Sequence, residues 1–74
     1  MSYNLNVIVE KDDEGYYAYC PELEGCQTQG DTLDETMTNI KEAIDLYLET
    51  LSEEEKKEII RNEIYITNYE VKVA

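Results

Sequence analysis

Polar and apolar residues alternate with a period of two near the start of the chain, which is the pattern of a β-strand. Within residues 3–9, one face carries Tyr3, Leu5, Val7 and Val9. The acidic sequence DDEG follows at 12–15 and ends in the glycine that a tight turn with positive φ requires. Residues 16–20 are rich in tyrosine, which sheets favour, so they predict a second strand. The pattern therefore predicts a β-hairpin.

A third strand and a helix follow the hairpin. Pro21 cannot donate to a sheet ladder and ends the second strand, and residues 26–30 resume an extended pattern after the loop. Thr32 and Glu35 have the T-x-x-E spacing of a capping box, with Asp31 as an alternative cap, so a helix is expected to begin at Leu33. Steps of three and four residues then give a helix over 33–51 one apolar face, made of Leu33, Met37, Ile40, Ala43, Ile44, Tyr47, Leu48 and Leu51.

The last third of the chain predicts a short helix and a fourth strand. Ser52 and Glu55 repeat the capping signal, which favours a second helix over residues 53–61. Alternation returns over residues 63–73, where one face carries Tyr65, Thr67, Tyr69, Val71 and Val73. A helical crossover favours parallel pairing of the strands that it joins. The expected fold is thus α+β, a single domain over residues 1–74 with the order β-β-β-α-(α)-β. Its four-stranded sheet would be ordered 3-2-1-4, with the helices on one face.

Size and charge limit the partners that the chain can have. It holds 18 acidic and 6 basic residues and no histidine, for a net charge of −12. Such a surface repels phosphate backbones and anionic membranes but steers basic proteins toward itself. The same acidity also serves to keep a small protein soluble. A domain of 74 residues buries only about 60% of the surface of its unfolded chain, so we expect homo-oligomerisation, as a dimer or a tetramer.

No stretch approaches the roughly 20 apolar residues that span a bilayer, and the first residues lack a basic region followed by an apolar one. We therefore expect a cytoplasmic protein that contacts neither nucleic acid nor membrane directly.

The acidic residues do not predict a catalytic site. A metal-dependent enzyme needs carboxylates that converge from the centre of adjacent strands. The first predicted strand offers Asn4, Asn6 and Glu10 but no central aspartate, and the other acids fall on turns and on the outer helix face. We therefore expect no enzyme activity, no metal and no cofactor.

Two cysteines, Cys20 and Cys26, flank the loop PELEG and could face one another across it. A disulfide or half of a zinc site is conceivable, but the chain has no histidine and no other cysteine to complete four zinc ligands. Two partly buried thiols fit a reducing compartment better. Leu46 lies nearly opposite the apolar helix face and is either an ordinary exposed leucine or an anchor in a protein interface.

Several short motifs occur in order along the chain. They are GYYA at 15–18, PELEGC at 21–26, GDT at 30–32 and NIKEAI at 39–44. Over about residues 5–50 this series resembles the N-terminal domain of the HicB-like antitoxin family. The resemblance implies a partly degraded ribonuclease H-like fold without its catalytic acids. It also implies a partner, a small basic toxin that cleaves mRNA and is neutralised by the antitoxin. Members of the family often carry a C-terminal DNA-binding domain, for which these residues give no signal.

The sequence thus favours an antitoxin of a type II toxin–antitoxin pair. The alternative is a stand-alone homo-oligomeric interaction domain of unknown ligand, without a toxin partner. Exposed tyrosines are expected to serve as further apolar anchors for the partner. The expected partner-binding residues are acids on turns and loops together with the exposed leucine: Asp12, Asp13, Glu14, Glu22, Glu24 and Leu46.

Overall fold

The computed structural model describes residues 4–73, which form three antiparallel strands followed by two helices. Strands β1 (Ile8–Asp12), β2 (Gly15–Tyr19) and β3 (Gln27–Gly30) lie in the order β1-β2-β3. Helices α1 (Leu33–Glu49) and α2 (Glu53–Arg61) follow, and α1 packs against β2 and β3.

The hairpin between β1 and β2 is closed by a two-residue turn, with Asp12 opposite Gly15. Asp12 Oδ1 accepts a hydrogen bond from the Glu14 backbone N–H at 2.8 Å, a local bond that acidic turn residues commonly make. Gly15 takes φ +138°, and a β-carbon there would lie 3.0 Å from the Gly30 carbonyl oxygen. Glycine is therefore required at this end of the hairpin for conformation and for space.

Both helices begin where their caps predict. Thr32 accepts a hydrogen bond from the Glu35 N–H at 3.1 Å, and Ser52 forms a full capping box with Glu55. The start of α1 lies so close to β3 that a β-carbon on Gly30 would meet Thr36 Oγ1 at 2.6 Å. Thr36 is fully buried there, and its hydroxyl donates to the Thr32 carbonyl at 2.8 Å.

The core lies between α1 and the sheet. Its buried members are Ala18, Cys20, Leu23, Cys26 and Ile40, and half-buried residues around them come from β1 and the residues before it, from α1 and from α2. Ala18 and Cys20 lie on the face of β2 that packs against α1, whereas Tyr17 and Tyr19 lie on the opposite face because side chains alternate along a strand. The helices thus cover one face of the sheet, and the tyrosine face stays open.

The predicted four-stranded sheet is wrong. The sheet has three strands, and residues 63–73 form no strand within the described chain. The order 3-2-1-4 and the ribonuclease H-like arrangement, which depended on a fourth strand beside the first, are overturned together. Alternation makes a segment suited to a sheet, but pairing also needs an edge to lie against, and residues 63–73 pair with neither edge of the sheet within the described chain.

The first strand is also shifted relative to its prediction over residues 3–9. It begins at Ile8 and runs on to Asp12, while Tyr3 lies outside the described residues. Pairing stops at Ile8 because its partner Tyr19 is the last residue of β2 before Cys20 and Pro21. Beyond that point a side chain replaces the ladder, since the Glu22 carboxylate accepts from the Asn6 backbone N–H at 3.0 Å.

Candidate partner-binding surface

The acidic turn, Asp12, Asp13 and Glu14, is exposed at the tip of the hairpin. The short turn holds the three residues together, and the bond from Glu14 N–H to Asp12 Oδ1 fixes the first carboxylate. A cluster of exposed acids at the tip gives this end of the hairpin a negative electrostatic potential.

The loop after β2 carries the other two predicted acids, but they differ in environment. Glu22 is half-buried, and its carboxylate accepts from both the backbone N–H and the side-chain amide of Asn6, each at 3.0 Å. Glu24 is exposed. The geometry therefore gives Glu22 a role inside the fold and leaves the Glu24 carboxylate facing solvent.

The acidic turn and the loop lie at opposite ends of β2. Five residues separate them along this strand, which is about 17 Å at a rise of about 3.3 Å per residue. A partner must span about 17 Å to contact both ends at once. The predicted acids are thus two separate charged sites rather than one.

Leu46 is 64% exposed on α1, as its position opposite the apolar stripe predicts. Its neighbours one turn away, Glu42 and Glu49, and the adjacent Asp45 are exposed as well. An apolar side chain within an acidic helix face suits a partner that combines basic and apolar groups.

The open face of the sheet adds an aromatic surface that the sequence predicts without placing it. The rings of Tyr17 and Tyr19 lie 5.7 Å apart at an angle of 37°, and the Tyr17 hydroxyl donates to Gln27 Oε1. The two rings line a cleft of about 290 Å³ together with the loop between β2 and β3. Its walls combine apolar groups with the exposed Glu24, which suits a protein contact.

Both cysteines are free thiols and are buried beneath this cleft. The Cys20 N–H donates to the Cys26 carbonyl at 3.1 Å, which closes the loop between β2 and β3. Burial raises the pKa of the Cys20 thiol and that of the Cys26 thiol above the ordinary value of 9.0, so both stay protonated at neutral pH. Among the described residues, no three cysteine or carboxylate side chains come together as a metal site would require. None of the helices within residues 4–73 is long and apolar enough to cross a membrane.

The chain is similar in sequence to a known family and to several bacterial and archaeal proteins. The model of the family described as HicB-like antitoxin of bacterial toxin–antitoxin systems matches residues 5–71. A UPF0150 protein of Helicobacter pylori is 40% identical over 70 residues, which cover 95% of this chain and 97% of the relative. A UPF0150 protein of Synechocystis is 56% identical over 50 residues, covering 66% of this chain and 63% of the relative. A third UPF0150 protein, from Archaeoglobus fulgidus, is 49% identical over 55 residues, covering 73% and 80%. No solved structure gives a significant match.

Proposed function

The chain belongs to the HicB-like antitoxin family, and we propose that it neutralises a small basic toxin that cleaves mRNA. Binding would cover the toxin's RNA-contacting surface, which must itself be basic to hold phosphates. The observation that carries the proposal is the net charge of −12, which suits a cationic protein and disfavours nucleic acid.

The proposed contacts are the exposed acids and the exposed leucine of the predicted set. The acidic turn and Glu24 would meet basic groups at the two ends of β2, and Leu46 would anchor an apolar group on α1. Glu22 would contribute indirectly, because its carboxylate holds Asn6 and thereby shapes the loop that carries Glu24.

A native pull-down of the tagged chain from its own cells at low salt tests the function, with the bound proteins identified by mass. We expect a small basic protein that cuts RNA only after this chain has been stripped from it. A captured basic protein that cuts RNA equally well before and after stripping would contradict neutralisation, and recovery of the chain alone would contradict the toxin partner.

Charge reversal tests the acidic turn. Changing Asp12, Asp13 and Glu14 to lysine should slow toxin association and flatten its salt dependence, because steering by charge acts mainly on the association rate. Reversing three exposed acids outside the proposed contacts, Asp34, Glu54 and Glu70, changes the net charge equally and serves as the control. The turn is excluded as a contact if both variants associate at the same rate in stopped-flow measurements.

A second candidate function is a homo-oligomeric interaction domain without a toxin. The observation that favours it is the exposed apolar surface of the last residues, where Tyr65, Tyr69 and Val73 are 84–88% exposed.

A further inference from the structure

The C-terminal segment, residues 62–73, belongs to no helix or strand within the described chain, and all of its residues except the half-buried Ile64 are exposed. The last backbone hydrogen bond outside the regular elements joins Asn62 N–H to the Ile59 carbonyl, so residues 63–73 make none within the described chain. None of them belongs to the core cluster of the described residues. The radius of gyration is 14.5 Å, against about 11 Å for a compact chain of this length, so the fold is elongated.

The composition of the C-terminal segment is that of a strand rather than of a linker. Linkers are rich in glycine, serine and proline, whereas this segment contains none of the three. Five of its apolar residues are exposed: Tyr65, Ile66, Tyr69, Val71 and Val73. An extended segment with unpaired backbone groups and exposed apolar side chains is a ready partner for another sheet edge.

The sheet offers such an edge on β1. Asp12 pairs with Gly15 across a two-residue turn, and Asn6 N–H points toward Glu22, so the even-numbered residues direct their backbone groups toward β2. The backbone groups of Leu5, Val7, Val9 and Lys11 consequently point away from the sheet, where no strand within residues 4–73 pairs with them. The opposite edge is less suitable, because β3 has four residues and its Gln29 carbonyl already accepts from Asn39 Nδ2.

We infer that the C-terminal segment is an interaction strand that pairs with the outer edge of β1 in a second copy of this chain. Each chain keeps its own three-stranded sheet and receives its added strand from the other copy. The exchange is reciprocal, so one two-fold axis relates the copies and the contact closes as a dimer. This inference deepens the proposed self-association and does not depend on the toxin.

The surface area that the two segments can bury between two copies is sufficient for a stable dimer. Burying the two tyrosines of each segment, Tyr65 and Tyr69, removes about 600–1,000 Å² from water across the dimer, at about 150–250 Å² for each ring. The three aliphatic residues and the added backbone bring the total into the range of about 1,200–2,000 Å² that specific interfaces bury. Because both copies are acidic, rising salt should strengthen this contact, whereas it weakens the capture of a basic toxin.

Sedimentation equilibrium tests the inference at low and high salt. We expect the unmodified chain to sediment at twice its mass of 8.6 kDa and to dissociate less at high salt. The double variant Thr67→Pro and Asn68→Pro removes one donor on each side of the segment and should sediment at the single mass. Tyr69→Asp should raise the dissociation constant at least about tenfold, a cost of about 1.4 kcal/mol. The matched control is Leu33→Asp, a change of an exposed apolar residue at the start of α1, which should leave the dimer intact.

Each outcome decides one point. A dimer that persists in the double proline variant overturns the segment as the interface while leaving self-association in place. An unmodified chain that stays monomeric at high concentration and high salt overturns self-association as well, and neither result bears on toxin capture. Circular dichroism should show unchanged helix content in every variant, because the segment lies outside the core of the described residues.

Discussion

The first strand of the hairpin and the C-terminal segment have the same alternating pattern, but only the former pairs with another strand of the same chain. In the hairpin, β1 and β2 face each other across a two-residue turn, so the pairing partner is supplied within a few residues. The C-terminal segment follows two helices and reaches no edge of its own sheet among residues 4–73. Alternation therefore indicates that a segment is fit for pairing, while the turn that connects it decides whether the partner lies in the same chain.

The largest difference in the free energy of unfolding is expected between alanine variants of two isoleucines. Ile40 is fully buried in the core and Ile66 is 58% exposed in the C-terminal segment. Ile40→Ala should lower the free energy of unfolding by about 2–5 kcal/mol, because it leaves a cavity. Ile66→Ala should change it by less than about 0.5 kcal/mol in dilute, monomeric protein. Urea denaturation measures both, and equal losses would contradict the division of the chain into these two regions.

A smaller difference in stability is expected between alanine variants of two glutamates in the loop after β2. Glu22→Ala leaves the Asn6 backbone N–H without its carboxylate acceptor and should cost about 1.5 kcal/mol, the lower end for bonds to charged groups. Glu24→Ala removes an exposed side chain and should be near neutral for stability. Urea denaturation of both variants checks this prediction. A Glu22→Ala variant as stable as Glu24→Ala would show that the Asn6 contact does not hold the start of β1.

The smallest effect on stability is expected from the buried thiols, and it depends on pH. Burial raises the pKa of both cysteines in the folded state, so the unfolded chain releases their protons first as the pH rises. Their contribution to stability is fully present below about pH 9 and is lost as the pH rises through the folded-state pKa values. The double variant Cys20→Ala and Cys26→Ala should show a weaker loss of stability above that pH. Thermal unfolding across pH 8–11 checks this, and parallel curves would contradict it.

Local signals in the sequence predicted the elements well. The caps at Thr32 and Ser52 set both helix starts, since each depends on residues within one turn. The exposure of Leu46 followed from the helical period in the same way. The buried positions of Leu23 and Thr36 were missed, because a loop leucine between two glutamates and a polar helix residue give no periodic signal.

The pairing of strands and the contacts between distant side chains could not be predicted in this way, because they depend on residues far apart in the sequence. The fourth strand failed because its alternation could not specify an edge, and β1 shifted because Pro21 cut short the ladder with β2. Glu22 shows the same limit within the candidate surface. Its charge suggested a contact for a partner, yet its carboxylate binds Asn6, sixteen residues away. Such pairs become visible only when the topology brings them together.

Residue-resolved amide hydrogen exchange tests most directly whether the C-terminal segment pairs with β1 of a second copy. In the unmodified chain, amides of Val7 and Val9 should exchange slowly together with alternate amides of the segment. In the double proline variant these should become fast, while the Ile8 amide, which faces β2, stays slow in both. Fast exchange at Val7, Val9 and throughout the segment in the unmodified dimer would contradict the pairing.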